Sequence, residues 1–281
     1  VSTKNWKWEM NFNIAKNSHK LVELADGVDS YSIYWTSFTT RLYNYAMVGK
    51  SLGVITGNTW ERDDNGNIIF HELSASQKAL YGGEYVPTYN QNTLDELGNF
   101  HPDFTGGFNT SISFKNFRLS ANIDFSVGGQ IVSYTNMWGS SSGILDKTAE
   151  LNDRGVNVRE PVSKGGGIHM TGVDQDGNKV DTYVNAKLYY TTASRVWEEW
   201  VYDRTYVKLR EVSLSYVFPS QTLKKLNIGL SRASVAINAS NPWLIYSACP
   251  NVDVSEIGMG YFEGGNAAAT RSIGFTVNLA F

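Results

Sequence analysis

In the stretch FRLSANIDFSV, Phe117, Leu119, Ala121, Ile123, Phe125 and Val127 alternate with Arg118, Ser120, Asn122, Asp124 and Ser126. Successive side chains of an extended strand point to opposite faces, so this stretch makes a strand with one apolar and one polar face. The same period recurs. WKWEMNFNIA sets Trp6, Trp8, Met10, Phe12 and Ile14 against Lys7, Glu9, Asn11, Asn13 and Ala15. TGGFNTSISF, REVSLSYVF, RASVAINAS and RSIGFTVNLAF continue it, the last with Ile273, Phe275, Val277, Leu279 and Phe281 on one face. These runs have roughly the 9–11 residues that cross a bilayer as a tilted strand, whereas globular strands average nearer 5–6.

The connections narrow the choice. Only Lys115 and Asn116 separate two of the strands, and Pro219–Leu226 joins two others. The alternate connections, 16–104, 131–203 and 247–270, are long. Compact soluble domains rarely carry repeated loops beyond roughly 15 residues, whereas outer-membrane barrels alternate short periplasmic turns with long extracellular loops. The pattern predicts an all-β chain: about six to eight strands of a transmembrane antiparallel barrel, apolar faces outward to lipid. Lys7, Glu9, Arg118, Asp124 and Arg232 would face lumen or plug. Lys208 and Arg210 break the rule, since they share parity with Val212, Leu214, Tyr216 and Phe218. Either a bulge resets the phase near Glu211 or these cations sit above the hydrocarbon.

Composition agrees. Aromatics make up 13% and charged residues 18%, the latter below the roughly 25% of soluble domains. Sixteen tyrosines and eight tryptophans suit a boundary between apolar and wet surroundings. A net charge of −3 argues against nucleic acid as a partner. The single cysteine, Cys249, excludes an internal disulfide and a thiolate metal cluster.

Within the long connections, DDNGNIIF and DQDGNKVD read as hairpins around Asn-Gly and Asp-Gly turns. SASQKALYG and TLDELGN read as short helices closed by glycine, and SKGGGIHM as flexible or tightly turned backbone. Two further strands fall within Tyr31–Tyr45 and Leu52–Arg62. GSSSG (139–143) matches a nucleophile elbow in letters only, because it follows an amphipathic strand rather than a buried parallel one. DQDGNKVD lacks the sixth-position glycine and twelfth-position glutamate of a calcium loop. His19, His71, His101 and His169 show no ligand spacing, so neither metal nor cofactor is expected. Trp138, Trp197, Trp200, Tyr261 and Phe262 are candidate ligand or partner contacts in extracellular loops. Packing within those loops, or an interfacial girdle, is the simpler account of any single one of these rings, since aromatics at such boundaries need no ligand to explain them.

The ordered set SLGVITG, RDDNGNIIF, GNFHPDFTGGFNTSISFKNFRLSANIDFSVGGQI, WGSSSGILDKTAELNDRG, GGGIHMTGVDQDGN, YDRTYVKLREVSLSYVFP and EGGNAAATRSIGFTVNLAF resembles the C-terminal part of the SusC/RagA-like TonB-dependent outer-membrane transporters. The resemblance implies a 22-stranded barrel with an N-terminal plug. It also implies energised import of oligosaccharides or peptides in a Gram-negative outer membrane, with a SusD-like surface lipoprotein and the TonB complex as partners. On this reading residues 1–281 form one barrel segment without catalytic residues, and plug and earlier strands lie elsewhere. Phe281 would be the C-terminal aromatic read by the assembly machinery. Three alternatives stay open: a complete small barrel acting as adhesin or enzyme, a soluble carbohydrate-binding sandwich, and a glycosidase with two paired carboxylates.

Overall fold

The computed structural model describes residues 2–3, 5–36, 41–226, 229–257, 260–265, 267 and 269–281. Strand β1 (Trp6–Ala15) is followed, in the first long connection, by β2 (Ser30–Thr36), β3 (Leu42–Met47), β4 (Val54–Gly57), β5 (Ile69–Glu72), β6 (Tyr85–Pro87) and β7 (Asp95–Asn99). Then come β8 (Phe104–Phe114) and β9 (Phe117–Val127). The second connection carries β10 (Gln130–Ser133), β11 (Ile168–Asp174), β12 (Lys179–Val184) and β13 (Val201–Asp203). The chain closes with β14 (Tyr206–Val217), β15 (Arg232–Ser247), β16 (Phe262–Glu263) and β17 (Ser272–Ala280). Helices α1 (Ala75–Tyr81), α2 (Tyr134–Ser141), α3 (Ala186–Ala193) and α4 (Ser220–Leu226) lie between them.

The alternating stretches assemble into one antiparallel sheet of six strands, ordered β1-β8-β9-β14-β15-β17. Register follows the alternation, because a slip of one residue would move every side chain to the other face. Trp8, Ile112, Leu119, Leu214, Ile237 and Phe275 stand in one row across the six strands. Glu9, Ser111, Ser120, Ser213, Asn238 and Gly274 form the neighbouring row on the other face. Lys7, Arg118, Asp124 and Arg232 share the polar face, as their parity predicts. Apart from Ala233 near α4, the apolar face stays largely open among the described residues: Phe12 is 60% and Phe275 79% exposed. A sandwich would bury that face, so the soluble-sandwich alternative does not fit.

At the rim with the short turns, rings gather. Trp6 lies 4.4 Å from Phe114, Phe117 4.7 Å from Tyr216, and Tyr216 5.1 Å from Phe218, centroid to centroid. Lys115 takes the left-handed backbone of the tight turn (φ 51), and Asn116 Nδ2 donates to Val217 O at 2.7 Å, fixing the turn against β14. Near the other rim Gly106 sits opposite Phe125, whose ring covers it and stacks 6.0 Å from Phe12.

The long connections fold into structure of their own rather than trailing as loops. Sheets β2-β3-β4-β7, β12-β11-β5-β6 and β13-β10-β16 enclose a core that includes Trp60, Tyr134, Met137, Tyr190, Trp197 and Trp200. The two additional strands expected within Tyr31–Tyr45 and Leu52–Arg62 exist as β2, β3 and β4, but they pair in this separate sheet and not with the six; residues 37–40 of the first lie outside the described ones. Both hairpins form, with Asp63 and Asp174 accepting from backbone within their own turns. Helix α1 has its Ser74–Gln77 capping box and Gly82 stop. TLDELGN, however, is strand β7, not a helix. It pairs with β4, Gly98 adopts φ 144, and Gln130 Oε1 accepts from Asn99 N at 2.8 Å; tertiary pairing overrides a weak local propensity.

Candidate functional site

The polar face carries a shallow concavity of about 520 Å³ lined by Glu9, Asn11, Asn109, Arg118, Ser120 and Glu211 among others. Glu9 is its hub: Lys7 Nζ lies 2.7 Å away, Arg118 Nη2 3.7 Å, and Ser111 Oγ donates at 3.4 Å. All three charges are about half exposed, so their ion pairs add little stability. What they provide is a wet, mixed-charge wall.

Where this wall meets the folded connections, the parity conflict of Lys208 and Arg210 resolves. Lys208 pairs with Asp124 and Glu211 with Asn122, leaving Arg210 as the extra residue of a bulge. Lys208 therefore belongs to the polar face, and it is almost wholly buried. Its Nζ reaches Asp253 Oδ2 at 2.7 Å and Glu256 Oε1 at 2.6 Å, both on the segment between β15 and β16. Arg210 Nε binds Asp124 Oδ1 at 2.9 Å, and Nη1 donates to Glu256. The hydrogen bond from Lys208, then that from Arg210, holds the Glu256 carboxyl below its ordinary range despite some burial. Burial alone would raise Asp253, but the Lys208 and Ser255 hydrogen bonds outweigh it and hold that carboxyl low too.

The same segment is tied deeper. Ile131, Cys249, Val254 and Ile257 pack together, and burial pushes the Cys249 thiol up to about 12. Asn136 Nδ2 donates to Pro250 O at 2.8 Å. Glu263, also buried, accepts from Thr135 N at 2.9 Å and Thr135 Oγ1 at 2.8 Å, placing a carboxylate at the start of α2.

The aromatic candidates separate. Trp197 and Trp200 are fully buried, and Trp200 Nε1 donates to Ala193 O at 2.7 Å, so both rings serve the core of the connections. The acids between them do the joining. Glu199 accepts from Trp60 Nε1 at 2.6 Å, and Glu198 accepts two bonds from Arg62 at 2.7 and 2.9 Å, linking the first connection to the second. Tyr189 also donates to Glu199 at 3.2 Å; burial and then that carboxylate push its hydroxyl pKa far up. Tyr261 is buried and Phe262 half-buried, with the Tyr34 ring stacked 6.0 Å from Phe262. Trp138 on α2 keeps 46% of its surface exposed, and Phe281 is 84% exposed beside the aromatic rim. GSSSG closes α2, with Ser141 Oγ donating to Trp138 O at 3.1 Å, and forms no elbow. His19 and His101 meet edge to face at 4.5 Å, a pairing no spacing indicated, but no group of three metal-ligating side chains occurs among the described residues.

No family model matches the chain. It is 26% identical over 261 residues to TonB-dependent receptor P3 of Formosa agariphila, covering 90% of this chain and 24% of the relative. With TonB-dependent receptor P26 of the same organism it shares 22% over 313 residues, covering 100% of this chain and 28% of the relative. Its fold matches the RagAB peptide transporter with a TM-score of 0.61 at 16% identity, and the RagAB peptide importer in the "closed-closed" state with 0.64 at 16%, each covering 100% of this chain and 28% of that one. The chain thus spans about a quarter of the length of the proteins it matches. These relatives and neighbours are named as receptors and transporters, not as enzymes.

Proposed function

We propose that this chain, whose likeness to the SusC/RagA-like TonB-dependent transporters holds in both sequence and fold, forms the C-terminal part of the barrel wall of an outer-membrane nutrient importer. One observation carries the reading: a six-stranded sheet of bilayer-length strands presents an apolar face that stays largely exposed among the described residues. An open sheet edge is not tolerated in hydrocarbon, so β1 and β17 pair with further strands of the same barrel. The polar face lines the lumen, and the folded connections stand on the extracellular side as a rigid collar.

Function is import of oligosaccharides or peptides, energised through TonB, with a SusD-like lipoprotein seated over the collar. Peptide cargo fits the RagAB neighbours best. Of the five candidate rings Trp138 is the most exposed, and so the most available to cargo or lipoprotein. Phe281, exposed at the aromatic rim, is the residue read during barrel assembly. The test uses the full-length protein in its own cells. Deleting its gene should abolish uptake of labelled peptides or oligosaccharides, and a cysteine replacing Ser141 should react with an impermeant maleimide on intact cells. Unchanged uptake of both cargo classes, or labelling only after outer-membrane rupture, would sink the proposal.

A further inference from the structure

The apolar face is not uniform. Along the rim row, Trp6, Phe114, Phe117 and Tyr216 are followed by Val235 and Val277, a drop from rings to valines on adjacent strands. The next row inward ends on Leu214, Ile237 and Phe275. The step leaves a groove of about 330 Å³ on the outside of the wall, bounded by Phe117, Tyr216 and Phe275 and floored by Val235 and Val277. Its lining is apolar, as an acyl chain requires and a polar cargo does not.

Exposed charge lies on the helix that follows this groove's strand at the same rim. Strand β14, which contributes Leu214 and Tyr216, runs through Phe218 and Pro219 into α4, where Lys224 and Lys225 are exposed next to Leu226, itself 56% exposed. Helix α4 also touches β15, whose Val235 floors the groove. Two extended residues and five helical ones carry the backbone at most about 15 Å from the strand end. That is the separation between the upper chain and the headgroup of a bilayer lipid. Lys224 and Lys225 enter no ion pair among the described residues. We infer that the groove over β14, β15 and β17, together with Lys224 and Lys225, is a binding site for one anionic phospholipid of the leaflet at the short-turn rim. The chain lies along Val235 and Ile237, and the phosphate meets the lysine pair. The inference rests on the membrane-wall reading and adds a specific lipid to it.

Native mass spectrometry of the full-length transporter tests it, with phosphatidylglycerol and phosphatidylethanolamine supplied in equal amounts. Two lysines near the headgroup should give about a tenfold to thirtyfold preference for phosphatidylglycerol. Lys224→Gln with Lys225→Gln should remove the preference while leaving some lipid bound. Val235→Phe, or Val277→Phe should the first not fold, should cut retention of both lipids, whereas Ala121→Phe on the same face should not. Equal retention of the two lipids by the unaltered protein, or equal loss in Val235→Phe and Ala121→Phe, would overturn the site. Extraction of the full-length protein without detergent would instead remove the membrane reading itself, so the two failures are distinct.

Discussion

Lys208 Nζ lies 2.6 Å from Glu256 Oε1, joining a wall strand to the segment that folds back over it. The contact depends on the bulge at Arg210, which turns Lys208 onto the polar face while the apolar alternation resumes at Val212. Removing this buried cation leaves the Asp253 and Glu256 carboxylates without their shared partner. Lys208→Met is expected to destabilise the 248–257 segment by about 2–4 kcal/mol, below the limit for fully buried pairs because Glu256 is partly exposed. Limited proteolysis of the full-length protein should show cleavage in that segment first. Unchanged cleavage would mean that the Ile131–Val254 packing alone holds it.

The same cluster sets a pH dependence. Asp253 and Glu256 both have carboxyl pKa values depressed in the folded protein. Their contribution is therefore complete above the unfolded value, about 4 for such groups, and is lost as pH falls through the lower folded values. Hydrogen exchange in the 248–257 segment should be flat from neutral pH down to about 4 after correction for intrinsic rates, then rise. In Glu256→Gln that acid-side rise should be smaller. A rise centred near neutrality would implicate a histidine instead.

The pairing of Trp60 with Glu199 joins two connections that are distant in sequence, so its loss should loosen both together. Trp197→Ala should cost about 3–5 kcal/mol through the cavity it opens beside Tyr134. Glu199→Ala should cost about 1–3 kcal/mol by leaving Trp60 Nε1 without its acceptor. Thermal melting followed by tryptophan fluorescence measures both. A lower midpoint in Trp197→Ala with ligand uptake preserved would assign that ring to packing.

Gly106 admits Phe125 across the strands. A Cβ there would lie 2.4 Å from Asn13 O and 2.5 Å from the Phe125 ring. Gly106→Ala should cost about 1–3 kcal/mol, and combining it with Phe125→Ala should cost less than the sum of the two. Additive losses in refolding titrations would show that the ring does not depend on the glycine.

Much of the wall was legible because period-2 alternation and strand register express the same constraint. Trp8, Ile112, Leu119 and Leu214 had to share a row once each strand kept its apolar face. Strand β15 showed clear alternation only over RASVAINAS, to Ser240; Asn241, at φ 48, and Pro242 occupy a bulge, and the strand runs on to Ser247, where the long connection was expected to begin. The collar was much less legible. Its strands are short, and its joints are side chains such as Glu198, Glu199 and Glu263 whose partners lie more than a hundred residues away. No local pattern marks an acid as a joint. WEEW drew attention to its rings, while the bonds between connections run through its two glutamates.

The central claim is that the apolar face of the six strands meets lipid and the polar face does not. Adjacent residues of β14 test it directly in the full-length protein. Leu214→Arg, in the apolar row, should lower folding stability in vesicles by about 2–4 kcal/mol, and Ser213→Arg, on the polar face, by about 1 kcal/mol or less. Equal penalties at the two positions would contradict the account.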